Sequence, residues 1–198
     1  ELHPLTLASQ HRYAQLLLDL DDTAQAEKML SENLAACAKA LGPKHPDTLA
    51  SQFSLASLRL KTDPSASNHA EFSNLLADFR SVLGAEHPRT LLCMQRLALV
   101  CIEQQEVAEA TQLLTNAHAV AEHKLSSEHP IALQIDFAMA RNAAAKGEVG
   151  EAEDQFSHLL DRLLVVYGPE HPATRSAKSG LAKSYQALGW ADEAERMR

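Results

Sequence analysis

The dipeptide His-Pro returns at residues 3–4, 45–46, 87–88, 129–130 and 171–172, always 42 residues apart. A fixed period of this length means one supersecondary unit repeated in tandem, each copy packing on its neighbours to build a solenoid. Aligned on the dipeptide, the chain divides into units 3–44, 45–86, 87–128 and 129–170 and a partial fifth, 171–198. We read residues 1–198 as a single repeat domain. Such arrays display surface, so the expected work is recognition.

Within each unit the apolar residues recur at steps of three and four, twice over. Leu49, Phe53, Leu55, Ala56, Leu58 and Leu60 mark a first helix, and Ala110, Leu113, Leu114 and Ala117 a second one in the next unit. Each unit is therefore a helix pair, A then B, and the fold expected is all-α. Pro suits the first turn of helix A, where its missing N–H is one of the orphan donors. Leu-Gly or Tyr-Gly at 41–42, 83–84 and 167–168 ends helix B with a left-handed glycine cap, and Gly147 and Gly189 end helix A in units four and five. Thr6, Thr48, Thr90 and Thr174 stand two residues after Pro, where a hydroxyl can bond locally; unit four has Ala132 instead. Ala14, Ala56, Ala98, Ala140 and Ala182 share one column, and Ala26, Ala110, Ala152 and Ala194 another. We expect these small residues where A and B approach most closely. Unit two departs with Asp63-Pro64-Ser65 and Asn68, so its helix B is expected to start late, near Ser67.

Ala and Leu abound and the hydrophobic share is 45%, which is ample for a core. The net charge of −8 argues against nucleic acid, whose phosphates require a basic stripe. No apolar run reaches membrane-spanning length and no signal peptide opens the chain. Cys37, Cys93 and Cys101 are odd in number. Cys93 and Cys101 lie about 12 Å apart along one helix, too far for a disulfide. Buried thiols in a reducing, cytoplasmic compartment are the expectation. Because the sequence opens on Glu1 inside a repeat, it reads as a piece of something longer.

Of ten histidines, five are the repeat marker His3, His45, His87, His129 and His171. Helix pairs stack roughly 10 Å apart, so these five cannot share a metal whose ligands lie near 2 Å. His118 and His123 sit about 140° apart around a helix and do not co-ligate. No metal, no cofactor and no enzyme is expected: a P-loop, a Gly-x-Ser-x-Gly elbow and a His-Glu-x-x-His helix are all missing.

Leu-Gly-Pro-Lys-His-Pro-Asp-Thr-Leu-Ala (41–50) and Gly-Trp-Ala-Asp-Glu-Ala-Glu (189–195) resemble tetratricopeptide repeats. The 42-residue period with Leu-Gly-x-x-His-Pro between units is similar to the kinesin light chain-like subclass, and the resemblance covers essentially the whole chain. It implies an α-solenoid of tandem helix-turn-helix units, wound as a right-handed superhelix, with helices A lining a concave groove. By the family pattern the groove-facing places include His11 in unit one and Phe53, Leu60 and Lys61 in unit two. Unit three supplies Leu92, Gln95, Leu99 and Ile102; unit four Gln134, Phe137, Arg141, Ala144 and Ala145; unit five Ser176, Ser179, Lys183 and Ala187. An Asn-Asn pair that contacts cargo in kinesin light chains is absent: Gln95-Arg96 and Phe137-Ala138 stand at such places. The carboxylate clamp of chaperone-binding repeats is missing as well.

The groove so mapped is apolar in its middle (Phe53, Leu60, Leu92, Leu99, Ile102, Phe137), with Lys61, Arg141 and Lys183 adding positive charge. Phe53 and Phe137 face either the groove or the core; helical spacing leaves both open. The expected partner is a protein or peptide, with neither nucleic acid nor membrane. The alternative is an autoregulatory or sensor arm of a larger enzyme or signalling ATPase. Leu181, Tyr185, Leu188 and Trp190 are expected to have few downstream partners, which makes self-association through the C-terminal repeat a further expectation.

Overall fold

The computed structural model describes residues 3–62 and 68–197, apart from the side chains of Asp19 and Asn68. Ten α-helices account for nearly all of the described residues: α1 Pro4–Asp19, α2 Thr23–Leu41, α3 Pro46–Thr62, α4 Asn68–Leu83, α5 Pro88–Glu103, α6 Val107–Lys124, α7 Pro130–Lys146, α8 Val149–Tyr167, α9 Pro172–Leu188 and α10 Ala191–Arg196. Every odd-numbered helix opens on the proline of a His-Pro pair. α4 starts at Asn68, where the sequence asked for a late start; Asp63-Pro64-Ser65 and Ser67 lie outside the described residues. None of the described helices is long and apolar enough to cross a membrane.

The histidine of the marker has a definite task. At each N-terminus its Nδ1 accepts a hydrogen bond from the N–H two residues on: His3 from Leu5, His45 from Asp47, His87 from Arg89, His129 from Ile131 and His171 from Ala173, at 3.1–3.2 Å. The imidazole is the N-cap, and proline fills N1. Thr48, Thr90 and Thr174, all buried, then reach back six residues, each hydroxyl donating to the carbonyl of Gly42, Gly84 or Gly168 at 2.8 Å. The turn between units is thereby clasped. Where the fourth unit has Ala132, the glycine has gone too, replaced by Ser126. There the Arg162 guanidinium donates to the Ser127 carbonyl and, at 2.5 Å, to Asp136 Oδ2, so an ion pair replaces the clasp.

The glycine caps divide into two kinds. Gly147 and Gly189 are left-handed (φ 82°, ψ 9° and φ 80°, ψ 14°). The N–H of the following residue returns to the carbonyl five earlier, Glu148 to Ala143 and Trp190 to Tyr185, closing a Schellman turn. Asp21 (φ 63°) and Gln105 (φ 64°) make the same turn without glycine. Gly42 and Gly168, expected as left-handed caps, combine a positive φ with an extended ψ of 160° and 175°. They redirect the chain toward the next His-Pro, in a region almost closed to residues with a Cβ.

Contacts divide the chain into two compact units, 1–93 and 94–198. In the first, α1 packs on α2, α2 on α3 and α3 on α4; in the second, α6 through α10 pack each on the next. The first unit is cored by Ala14, Leu17, Ala26, Leu30, Leu55 and Leu58. Asn33, 1% exposed, ties three of its helices together: Nδ2 donates to the Leu7 carbonyl at 2.8 Å, and Oδ1 accepts from Ser51 Oγ at 2.7 Å. The second unit packs Leu133, Ala140, Phe156, Leu159, Leu163, Ala177 and Leu181 together. Both alanine columns are buried throughout. Leu181 is buried against upstream residues, Phe156 among them, while Trp190 remains half-exposed.

Candidate functional site

In residues 94–198 the odd-numbered helices form the walls of two adjoining cavities. The first, about 350 Å³, takes Gln95, Arg96 and Leu99 from α5, Leu133, Gln134 and Phe137 from α7, and Ser176 from α9, with Leu163 and Tyr167 of α8 behind. The second, about 670 Å³, takes Ile102 from α5, Phe137, Arg141, Ala144 and Ala145 from α7, and Ser176, Ser179, Lys183 and Ala187 from α9. Phe137 and Ser176 border both. The helical step of three to four residues puts these positions on one face of each helix.

The mapped places do not all meet water. Gln95 (2% exposed) and Ile102 (6%) are buried and reach only cavity walls, whereas the family pattern had them facing an open groove. Phe137 does both things left open for it: it is half-buried edge-on against Phe156, ring centres 5.7 Å apart, and it still lines the cavities. Phe53 turns into its own helix pair, edge-on to Phe72 and Phe79 at 5.9 and 6.1 Å. Leu60, Leu92 and Leu99 are half-buried. Two of the three expected cations are already paired, Lys61 with Asp21 at 3.0 Å and Arg141 with Glu103. Lys183 is exposed on the wall of the second cavity.

His11 belongs to a third, more polar cavity of about 190 Å³ in residues 1–93, with Gln15, Asp47, Ser51, Cys37 and Arg89. Ser51 Oγ lies 3.4 Å from His11 Nδ1, which raises the question of a nucleophile and base. The geometry answers against it, because the single hydroxyl proton has better acceptors in Asn33 Oδ1 at 2.7 Å and the Asp47 carbonyl at 2.9 Å. Burial lowers the His11 pKa, Arg89 lowers it further and Asp47 opposes them. The thiols are buried, and burial pushes Cys93 and Cys101 up to about 12, with Glu109 and Glu106 adding to the rise at Cys101. They are poor nucleophiles. The five marker histidines are committed to capping.

Sequence reasoning passed over Arg96. Its column in the 42-residue register reads Arg12, Ser54, Arg96, Ala138, Gly180. A long charged residue in a column that shrinks to Ala and Gly was the available signal.

A family profile of the tetratricopeptide repeat matches residues 5–67, and another matches 90–131. No curated protein matches the chain. Two solved structures of a P. anserina protein described as a kinesin light chain with nearly identical TPR-like repeats, one of them a single-substitution variant, are 30% identical to it. They give TM-scores of 0.71 for the variant and 0.70, over 98% of this chain and 92% of theirs. BtubC (BKLC) from P. vanneervenii is 16% identical, with a TM-score of 0.68 over 98% of this chain and 77% of its own, a likeness of fold alone. Period, helix pairs and near-complete coverage agree, and the chain belongs to the tetratricopeptide repeat family as a kinesin light chain-like member.

Proposed function

We propose that, in each of the two compact units taken by itself, the face built by the odd-numbered helices binds a segment of a partner protein, in extended or helical form. Tetratricopeptide repeats are in general non-enzymatic scaffolds for protein–protein interaction, and this reading narrows that role to one surface. The observation that carries it is the pair of adjoining cavities in residues 94–198, which share Phe137 and Ser176 and draw their walls from α5, α7 and α9. Leu99, Ile102 and Phe137 supply apolar anchor surface, the kind that carries most of the energy at an interface. Lys183 can pair with an acid on the partner, and Arg141 can do so by leaving Glu103. In residues 1–93 the same reading assigns His11, Leu60, Lys61 and Leu92 to the face. Phe53 supports it from within.

The test uses peptides of about twelve residues selected on this chain from a random display library. Ser176 is exposed and borders both cavities, so Ser176→Tyr fills the site without touching the core. Binding of the selected peptides should fall at least tenfold on Ser176→Tyr and hold on Val165→Arg, a change at an 80% exposed position of α8. Peptides that ignore Ser176→Tyr, or a library that yields no binder, would contradict the reading.

A further inference from the structure

Gln95 and Arg96 break the rule that buried polar groups find partners. Gln95 is almost wholly enclosed, and its Oε1 has no hydrogen-bond partner; the Nε of Arg96 is buried and equally unpartnered. No carboxylate pairs with Arg96 among the described residues, and the guanidinium pKa is lowered by burial alone. In the same column Ala138 is fully buried, and a Cβ at Gly180 would meet the Phe156 ring at 2.5 Å, so the neighbouring units hold this place small. Here a long cation is kept instead, on the wall of a cavity to which no acid contributes. Arg96 is half-buried, and a charge partly withdrawn from water without a partner weakens a fold. A counter-charge arriving from outside removes that penalty.

We propose that the 350 Å³ cavity is a receptor site for a carboxylate carried on an apolar group. The planar guanidinium of Arg96 matches a carboxylate in fork geometry. Gln95 Oε1 is an acceptor, so it takes a ligand N–H beside the acid; with the amide turned over, Nε2 would instead donate to the carboxylate. Leu99, Leu133, Phe137 and Leu163 receive the apolar group. His171 commits Nδ1 to the Ala173 N–H, which leaves Nε2–H as a donor at the rim. One permanent cation and predominantly apolar walls suit a monoanion, and a phosphate dianion would stay half-neutralised. The chemistry is that of an N-acylated apolar amino acid, met either as the C-terminal residue of a polypeptide or as a free small acid. The polypeptide source rests on the groove reading above; the small acid does not.

Calorimetric titration of the 198-residue chain decides it, with N-acetyl-L-phenylalanine, its carboxamide, and an eight-residue peptide ending in Phe prepared as free acid and as amide. The acids should bind, and amidation should weaken them about 10- to 100-fold, the loss expected for a charge-assisted hydrogen-bond pair. Arg96→Gln should do the same with helicity unchanged. Arg96→Met should abolish acid binding while raising the melting temperature, since it removes an unpaired charge. This variant keeps the test decisive even if Arg96→Gln folds poorly. A peptide acid tighter than N-acetylphenylalanine assigns the ligand to a chain terminus; equal affinity assigns it to a free acid. Acid and amide binding alike, no heat from either acid at millimolar concentration, or binding untouched by Arg96→Met overturns the proposal. A display-selected peptide blocked by Ser176→Tyr but indifferent to its own amidation and to Arg96→Gln would overturn this site and leave the groove reading standing.

Discussion

Replacing His129 by Ala removes the acceptor that holds the Ile131 N–H at 3.1 Å, while Pro130 at N1 has no N–H to offer. Ile131 is half-buried, so water restores the bond only in part. Loss of an N-cap acceptor costs about 1 kcal/mol. In a chain of this length that is roughly 2–4 °C in melting temperature. Asn places a carbonyl oxygen within reach of the same N–H, so His129→Asn should recover all but a few tenths of a kcal/mol. Thermal circular dichroism gives the global effect. Because repeat arrays open in parts, amide exchange at Ile131 should rise in His129→Ala and return in His129→Asn. If Asn is as harmful as Ala, the imidazole acts by packing and the capping argument fails; if Ala is harmless, the bond contributes nothing. The device is also pH-sensitive, since a proton on Nδ1 removes the acceptor. At His87 burial, and after it Arg89, lowers the pKa below the ordinary 6.5. The neutral form is thus favoured on folding, and the His87 contribution is present above pH 6.5 and lost as pH falls through the lowered folded value.

Gln105 holds a left-handed φ of 64° where two other units use glycine, so Gln105→Gly should raise stability by about 1 kcal/mol in urea unfolding; a loss would mean its side chain matters more than its backbone. Asn33→Ala should cost about 2–3 kcal/mol, because it removes a bridge between α1, α2 and α3 and strands buried partners; a cost under about 0.5 kcal/mol would show the network to be slack. Cys93, its pKa pushed to about 12 and its Sγ donating to the Phe72 carbonyl at 3.6 Å, should resist iodoacetamide at pH 8 until the chain is unfolded. Labelling as fast as free cysteine would refute that burial. His11 has its pKa lowered by burial and by Arg89, so His11→Gln should flatten the loss of stability below pH 6.5; an unchanged pH profile would remove it as a contributor.

Periodicity made the helices and their starts legible, because a 42-residue step repeats every backbone problem and its solution. Proline at N1 was readable on that ground. The histidine beside it was not, since imidazole is an uncommon N-cap and only the 3.1–3.2 Å bonds disclose it. The Thr–Gly clasp was half visible. Threonine recurred in sequence, but its partner six residues back needs the turn to be folded, and Ser126 with Ala132 shows both members lost together. Asp21 and Gln105 escaped notice because nothing in their chemistry announces a positive φ. At the candidate site the family pattern, carried along the 42-residue register, put Leu99, Phe137, Arg141 and Lys183 on one face. It could not tell that Gln95 and Ile102 are buried in the cavity walls or that Phe53 points inward, because those outcomes depend on the size of neighbours from other helices. Arg96 was missed for the same reason.

The most direct test of partner binding by the odd-numbered helices is amide chemical-shift mapping of the ¹⁵N-labelled chain titrated with a display-selected peptide. The predicted shifts gather on Leu99, Phe137, Ser176 and Lys183 and leave Val165 still. Shifts concentrated on Val165 and the exposed faces of α6 and α8, with α5, α7 and α9 unmoved, would contradict it.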